Sequence, residues 1–274
     1  MFGPGSVGLV GILNVTPDSF SDGGLFYSAE RAVQRGLELV EQGADLVDVG
    51  GESTRPGSQP VDQATELRRV IPVVLALSRV GVRVSIDTQK PEVARQACAS
   101  GAVLVNDVSG LRDPEMIRVV VEAGVAACVM HMRGTPAEMQ RGPSYQDVVR
   151  DVGLWLAERV EQAVGAGLPR RKISVDPGIG FGKTVGHNLN LVGSSRVLEA
   201  RTGCAVLIGA SRKSFLGTLT GRDPAEREAA TIASTTAAVL GGARLIRVHQ
   251  CAGNLDAAKV ALALLAAREV EPTT

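Results

Sequence analysis

Nine polar or charged side chains stand at the ends of short apolar segments that have the length of β-strands. In a parallel sheet covered on both faces, a polar group at the end of a buried strand faces a site rather than the core. Because the carboxyl ends of such strands meet at one edge, we expect a polar ring there. For two members, Asp48 and His131, an alternative stays open, in which they cap the following helices or pair within the ring. The ring consists of Asn14, Asp48, Asp87, Asn106, His131, Asp176, Lys213, Arg247 and His249.

The basic side chains have the chemistry of an anion site. A guanidinium can donate two parallel hydrogen bonds to phosphate oxygens. Mg²⁺ can be coordinated by an amide oxygen while it keeps most of its water ligands. Arg55, Arg247, His249 and Asn14 are therefore suited to bind an anion together with its metal ion.

The acidic side chains are suited to a different ligand. Asp87, Asn106 and Asp176 offer hydrogen-bond acceptors and an amide, which suit a flat heterocycle with several N–H groups. Lys213 adds a donor for a ring oxygen or nitrogen.

The elements that must position these side chains are β-α units, and residues 82–110 are the clearest of them. An apolar run ends in Asp87, Lys90 and Pro91 open a helix, Gly101 closes it, and a second apolar run at 103–105 follows. The same plan predicts further strands at 7–13, 46–49, 126–130, 173–175, 205–208 and 245–248. It predicts helices at 29–42, 63–79, 145–164, 225–240 and 254–268, and one that begins at Pro114.

Eight such alternations without a linker predict one fold for the chain. Residues 1–274 should form a single (β/α)8 TIM barrel domain with its active site at the C-terminal ends of the strands. A doubly wound open sheet is the alternative architecture. It would leave Asn14 and His249 far apart.

Two predicted connections are unusually long. Residues 16–28 and 50–62 exceed the usual two to six residues and are rich in Gly, Ser and Pro. Loops of this length at a barrel mouth are usually mobile lids, so we expect both to close over a bound ligand.

The composition excludes several classes of partner. The 29 basic and 29 acidic residues cancel, and only 3% of residues are aromatic, so neither nucleic acid nor an anionic membrane surface is expected as a partner. The four cysteines form no CxxC pair, which indicates free thiols in a reducing, cytoplasmic setting. The first apolar run lacks a basic flank and breaks at Asn14, which is typical of a strand rather than a signal peptide or membrane anchor.

A glycine cluster at 178–184 looks like a phosphate-binding loop. Pro177 stands where that motif requires its first glycine, so we reject this interpretation. We expect the glycines to form a tight turn that places Phe181 beside the ligand.

Seven motifs together resemble the dihydropteroate synthase family. They follow one another over almost the whole chain, at the ends of seven of the eight predicted strands, which is more specific than any single motif. The motifs are NVTPDSFSDGG at 14–24, GGESTRPG at 50–57, SIDT at 85–88, ND at 106–107, DPGIGF at 176–181, SRK at 211–213 and RVH at 247–249.

The resemblance implies an enzyme of folate biosynthesis and a sulfonamide target. Such an enzyme condenses 6-hydroxymethyl-7,8-dihydropterin pyrophosphate with p-aminobenzoate to 7,8-dihydropteroate and releases pyrophosphate. The resemblance also implies Mg²⁺ as the cofactor and a homodimer. Because an arylamine is a weak nucleophile, we expect an SN1-like order in which pyrophosphate leaves before the amine attacks.

The resemblance also implies a role for each site residue. The pterin would be held by Asp87, Asn106, Asp176 and Lys213, with Asp87 facing the charge that develops as pyrophosphate leaves. The diphosphate and its metal would be held by Arg55, Arg247, His249 and, on Mg²⁺, Asn14. The p-aminobenzoate pocket would be shaped by Phe20, Thr54, Pro56, Phe181 and Ser214.

Two other functions are weighed against this one. A pterin-binding methyltransferase barrel would share the acidic pocket but would not need Lys213, Arg55 and the two long loops. A catalytically silent paralogue would have lost diphosphate or loop residues, all of which are present in this chain.

Overall fold

Eight strands of the described residues pair in parallel and in sequence order into a closed barrel. The computed structural model describes residues 6–16, 25–53, 60–134 and 142–270. The predicted (β/α)8 barrel is confirmed, and the open-sheet alternative is excluded because β1 pairs with β8. The strands are β1 (Gly8–Asn14), β2 (Leu46–Gly50), β3 (Val84–Asp87), β4 (Leu104–Asp107), β5 (Ala126–Met130), β6 (Ile173–Asp176), β7 (Ala205–Ile208) and β8 (Leu245–Val248).

Helices between the strands form the outer layer. Several begin where the sequence places a cap: the side chain of Asp62 accepts the N–H of Thr65 at 2.9 Å, and Asp113 accepts that of Glu115 at 2.9 Å. The helices are α1 (Leu25–Glu41), α2 (Gln63–Arg79), α3 (Pro91–Ala99), α4 (Pro114–Ala123), α5 (Val148–Gly165), α6 (Val185–Val192), α7 (Ser195–Thr202), α8 (Ser214–Thr220), α9 (Glu228–Leu240) and α10 (Ala252–Val270).

Three predicted helix boundaries are wrong. The helix predicted at 29–42 begins at Leu25, because the apolar spacing that continues through Ala29 and Ala32 already starts there. The helix predicted at 145–164 begins at Val148, after Asp147 accepts the N–H groups of Val149 and Arg150.

The third difference lies between β7 and β8, where one helix was predicted at 225–240. The short helix α8 comes first and ends at Gly221, which has a φ of 69°. A 3-10 turn at Pro224–Glu226 then leads into α9. Between β6 and β7, α6 and α7 likewise take the place of a single connection.

The described residues form three apolar clusters, and the smallest of them, Val108, Met130 and Met132, packs against Phe181. A large shell of side chains fills the space between the strands and the helices. A small cluster fills the lower barrel interior: Val10, Leu46, Leu104, Cys128, Leu207 and Leu245. Alternate residues of a strand face the interior, so the residues two positions further along each strand also point inward. These positions, nearer the C-terminal ends of the strands, hold the polar side chains.

The register places these polar residues side by side. Asp48 of β2 pairs with Ile12 and Ser85, and Asp87 of β3 pairs with Gly50 and Asn106. Among the described helices, none is long and apolar enough to cross a bilayer.

Candidate active site

An ion-paired arginine occupies the centre of the barrel mouth. Arg247, on β8, donates from Nε to Asp48 Oδ2 at 2.6 Å and from Nη2 to Asp87 Oδ2 at 2.7 Å. The amide of Asn106 donates to the same Asp48 oxygen at 3.0 Å. Four strands, β2, β3, β4 and β8, are thereby joined, and Asp48 pairs within the ring, which was one of its two predicted alternatives.

Burial and pairing act against each other in this cluster. Burial raises the pKa of Asp87, and the charge of Arg247 partly lowers it again. Burial lowers the pKa of Arg247, but Asp48 and Asp87 raise it overall, so the guanidinium stays charged. The second oxygen of Asp48, Oδ1, is buried without a hydrogen-bond partner. The cluster is therefore a polar surface that a ligand with N–H groups can complete.

Asp176 and Lys213 form the opposite wall. Asp176 Oδ1 accepts the N–H of Gly178 at 2.7 Å, and burial raises the pKa of this carboxyl while Lys213 partly lowers it. Lys213 donates to the carbonyl of Ile179, and its Nζ lies 4.4 Å from the ring centroid of Phe181. Burial of its ammonium lowers the pKa of Lys213 to about 8, while Asp176 raises it in part.

Two glycines keep the space between these walls open. A Cβ on Gly209 would lie 3.7 Å from Arg247 Cβ and 3.8 Å from Asp176 Oδ2. A Cβ on Gly50 would lie 3.4 Å from Asp87 Cβ. Backbone without side chains beside two carboxylates suits a flat ring better than a bulky one.

His249 is oriented by its neighbours at the edge of the site. Its Nδ1 lies 2.9 Å from Ser211 Oγ, which also accepts the backbone N–H of His249 at 3.3 Å. The hydroxyl of Ser211 can donate to this ring nitrogen or accept from it, so in either tautomer the contact fixes the orientation of the ring. Arg35 donates to the carbonyl of His249 at 3.0 Å and fixes the backbone.

The remaining predicted site residues fall into two groups. Asn14 ends β1 opposite Gly50, and Ser214 begins α8 at the exposed rim. Phe20, Thr54, Arg55 and Pro56 lie outside the described residues, and the same holds for most of the first long loop and the middle of the second.

One buried charge was not assigned a role from the sequence. Lys183, which belongs to the glycine cluster at 178–184, is 4% exposed, and its Nζ lies 3.1 Å from His131 Nδ1. Burial lowers the pKa of Lys183 to about 7, and burial together with the charge of Lys183 lowers that of His131 to about 3. No local pattern signals a contact between residues so far apart in the chain.

Asp48, by contrast, carried a signal. It lies on the inward phase of β2 between Leu46 and Gly50, and a carboxylate in the middle of an apolar strand needs a partner.

Comparisons with known proteins agree with this geometry. The family of pterin binding enzymes matches residues 10–249. Dihydropteroate synthase of Escherichia coli is 42% identical over 263 residues, which cover 95% of this chain and 93% of that protein. The enzyme of Mycobacterium leprae is 48% identical over 262 residues, which cover 93% and 92%. The chain spans 30% of a larger relative from Haloferax volcanii, a probable bifunctional folylpolyglutamate synthase/dihydropteroate synthase, at 46% identity.

Solved structures give the same result. Yersinia pestis dihydropteroate synthase, in a sulfonamide drug complex, superposes with a TM-score of 0.90 at 38% identity, covering 97% of this chain and 96% of that one. Xanthomonas albilineans dihydropteroate synthase with 4-aminobenzoic acid superposes with a TM-score of 0.87 at 44% identity, covering 97% and 94%.

Proposed function

The chain belongs to the family of pterin binding enzymes, and from this premise we infer that it acts as a dihydropteroate synthase. It is a transferase of folate biosynthesis that joins p-aminobenzoate to a dihydropterin pyrophosphate, with release of pyrophosphate, and it is a sulfonamide target. The observation that carries this function is the cluster of Asp48, Asp87 and Asn106 around Arg247, opposite Asp176 and Lys213.

We propose that the pterin ring lies between these two walls. The bond from Gly178 engages Asp176 Oδ1, and Oδ2 faces the open side of Gly209, where ring N–H groups would reach it. Asn106 is fixed by its bond to Asp48, and Lys213 supplies a donor from above. These side chains match the donors and acceptors on the edges of a pterin.

Arg247 and Asp87 would act on the bond that breaks. Loss of pyrophosphate leaves positive charge on the pterin methylene, which the carboxylate of Asp87 stabilises. The charge of Arg247 partly offsets the rise in the pKa of Asp87 that burial causes, and the guanidinium would face the leaving group together with His249. Since the cation forms first, p-aminobenzoate attacks as a neutral amine, and no base is required before that step.

The donor set is consistent with Mg²⁺. Among the described residues no three His, Cys, Asp or Glu side chains form a metal-binding group. Mg²⁺ needs none, because it commonly binds one or two protein oxygens together with waters and substrate phosphates. We propose that Asn14 holds the ion, which would neutralise charge on the diphosphate when bound. Arg55 would hold that diphosphate as well.

Phe181 and Ser214 would border the p-aminobenzoate pocket together with Phe20, Thr54 and Pro56. Phe181 supplies an aromatic wall beside Lys213, and Ser214 lies directly after that lysine. We further propose that the enzyme is a homodimer in the cytoplasm, where its four cysteines stay free thiols.

The decisive test is product formation. Purified protein with pterin pyrophosphate, p-aminobenzoate and Mg²⁺ should yield 7,8-dihydropteroate and pyrophosphate, and chelation of Mg²⁺ should suppress both. A sulfonamide should compete with p-aminobenzoate. Binding of the pterin without product would favour a silent paralogue, and methyl transfer from methyltetrahydrofolate would favour the methyltransferase reading.

A further inference from the structure

A buried lysine lies behind the site and touches none of the groups assigned to the pterin or the diphosphate. Lys183 ends the turn after β6, and its Nζ donates to the carbonyl of Phe181 at 2.9 Å. The same Nζ lies 3.1 Å from Nδ1 of His131. When the amino group is charged it has only donors, and Nδ1 is then the acceptor of this bond.

His131 connects the lysine to the barrel. Its backbone N–H donates to the carbonyl of Asp176 at 2.9 Å, and its ring meets the ring of Trp155 edge-on at a centroid distance of 5.0 Å. His131 is 6% exposed, so packing fixes its ring as well as its backbone. Because Lys183 bonds to both His131 and the carbonyl of Phe181, it fixes that carbonyl relative to the end of β5.

The turn itself needs such an anchor. Gly178, Gly180 and Gly182 all have positive φ, between 61° and 83°, and glycine restricts its own backbone less than any other residue. The N–H of Gly180 is held by Asn188 at 2.7 Å. The bond from Lys183 is the one that holds the carbonyl of Phe181 itself among the described contacts.

We propose that Lys183 and His131 are positioning residues that place the Phe181 ring for p-aminobenzoate. Neither residue would touch a substrate. Loss of their contact relaxes the turn at Phe181 and moves the aromatic wall, while the bonds of Asp176 to Gly178 and of Lys213 to Ile179, earlier in the turn, keep the pterin groups in place. This inference rests on the proposed function, since it assigns Phe181 to the p-aminobenzoate pocket.

Steady-state kinetics with both substrates would test it. Lys183→Met keeps the length of the side chain and removes the donor. We expect the KM for p-aminobenzoate to rise about tenfold, as for the loss of one hydrogen bond. The KM for pterin pyrophosphate and kcat should change by less than about threefold. Lys259→Met, which removes an exposed lysine of α10, should leave all three constants unchanged.

A second pair of variants separates positioning from packing. His131→Asn retains an acceptor near the place of Nδ1, and His131→Leu has a similar volume without one. We expect the KM for p-aminobenzoate to stay near wild type in the first and to rise in the second. This comparison also decides the question if Lys183→Met does not fold.

The outcomes distinguish the two levels of inference. Wild-type protein that makes no dihydropteroate would contradict the proposed function. If the wild type is active, three results would overturn the positioning role alone. The KM for p-aminobenzoate could be unchanged in Lys183→Met, or the KM values for both substrates could rise in parallel in that variant. The third such result is an equal KM for p-aminobenzoate in the two His131 variants.

Discussion

Arg247 shows how one side chain can hold a site together before any ligand arrives. It forms ion pairs with both Asp48 and Asp87 and so reduces the repulsion between these two carboxylates inside the barrel. A buried charge is tolerated only when it is paired in this way, so each member of the cluster depends on the others. Substitutions here should therefore act on ligand binding and on the remaining partners together.

Asp176 offers a sharper test than simple truncation. Its Oδ1 accepts from Gly178, so Asp176→Ala would loosen the turn as well as remove the ligand's acceptor. Asp176→Asn can keep the hydrogen bond from the Gly178 N–H with its amide oxygen, while its NH₂ group, a donor, faces the pterin ring. We expect pterin pyrophosphate to bind about 2 to 4 kcal/mol more weakly, as measured by calorimetry, with little change in Tm. Unchanged affinity would place the pterin elsewhere.

Lys213 should make pterin binding sensitive to alkaline pH. Burial lowers its pKa from the usual 10.5 to about 8, so the folded enzyme loses this charge as the pH rises through about 8. We expect the KM for pterin pyrophosphate to increase above that pH. Lys213→Arg, whose charge does not titrate there, should show a flatter profile.

The lowered pKa of Lys213 should make the fold more stable as the pH rises into the alkaline range, whereas it weakens pterin binding there. From about pH 8 to 10.5 the unfolded chain still binds the proton that the folded chain has lost, so the contribution of Lys213 to the free energy of unfolding rises with pH. Weaker binding without a lower Tm would therefore separate the titration of Lys213 from general unfolding. A KM rise that persists in Lys213→Arg would assign the effect to another group.

At the level of loops and helices, buried contacts fix the connections that carry the site. Lys90, just before α3, donates to Glu52 and Glu66, each at 2.5 Å. Glu52 also accepts the N–H of Val61 at 3.1 Å, so it joins the two described ends of the second long connection. Contacts with α2 and the start of α3 thus fix the two described ends of that connection.

Removal of Lys90 should destabilise the fold. Glu66 is fully buried, and Lys90→Met would leave its charge without a partner, at a cost of about 3 kcal/mol or more. Urea unfolding should show a lower midpoint with the same m-value. Adding Glu66→Gln should recover part of the loss, whereas the exposed Arg118→Met should have little effect. Full stability of Lys90→Met would contradict the structural role of this cluster.

Gly178 tests the turn after β6 in the same way. It has a φ of 69°, and a Cβ there would lie 1.9 Å from the carbonyl oxygen of His131. Gly124, which ends α4 with a φ of 65°, is a matched control, because a Cβ there meets nothing within 4 Å. Both Ala variants carry the left-handed strain, and only Gly178→Ala adds a backbone clash. We expect a clearly larger drop in Tm for Gly178→Ala, and equal drops would refute the clash.

For the enzyme as a whole, closure of the barrel is what assembles the site. Pairing of β1 with β8 brings Val10 beside Arg247, and β2 lies on the other side of β1. The partners of Arg247 are therefore 199 and 160 residues away in sequence. Ligand binding and folding should be coupled, because the same side chains serve both.

Binding of the two substrates should be ordered. The polar, glycine-rich sequences of 16–28 and 50–62 predict that closure of these segments over a ligand has an entropic cost, which a contact of Arg55 with the diphosphate would offset. We expect calorimetry to show no binding of p-aminobenzoate to the free enzyme. Binding should appear once pyrophosphate, Mg²⁺ and a pterin are present. Tight binding to the free enzyme would contradict the order and leave the pterin pocket unaffected.

The sequence by itself determined the elements and which residues end them. The bounds of α2, β5, β7 and β8 agree with those predicted, because capping residues, glycines and apolar runs act on their immediate neighbours. The polar residues at the ends of the predicted strands also placed Asp87, Asn106, Asp176 and Arg247 at one mouth, since the C-terminal ends of parallel strands meet at one edge.

Tertiary structure alone decided which of these side chains touch. That Arg247 bridges Asp48 and Asp87, and that Lys183 reaches His131, depends on barrel closure and strand register. Such contacts join residues far apart in the chain, and each forms only when the whole sheet sets the distance between its strands. A local pattern can require a partner for a buried charge, but it cannot choose that partner.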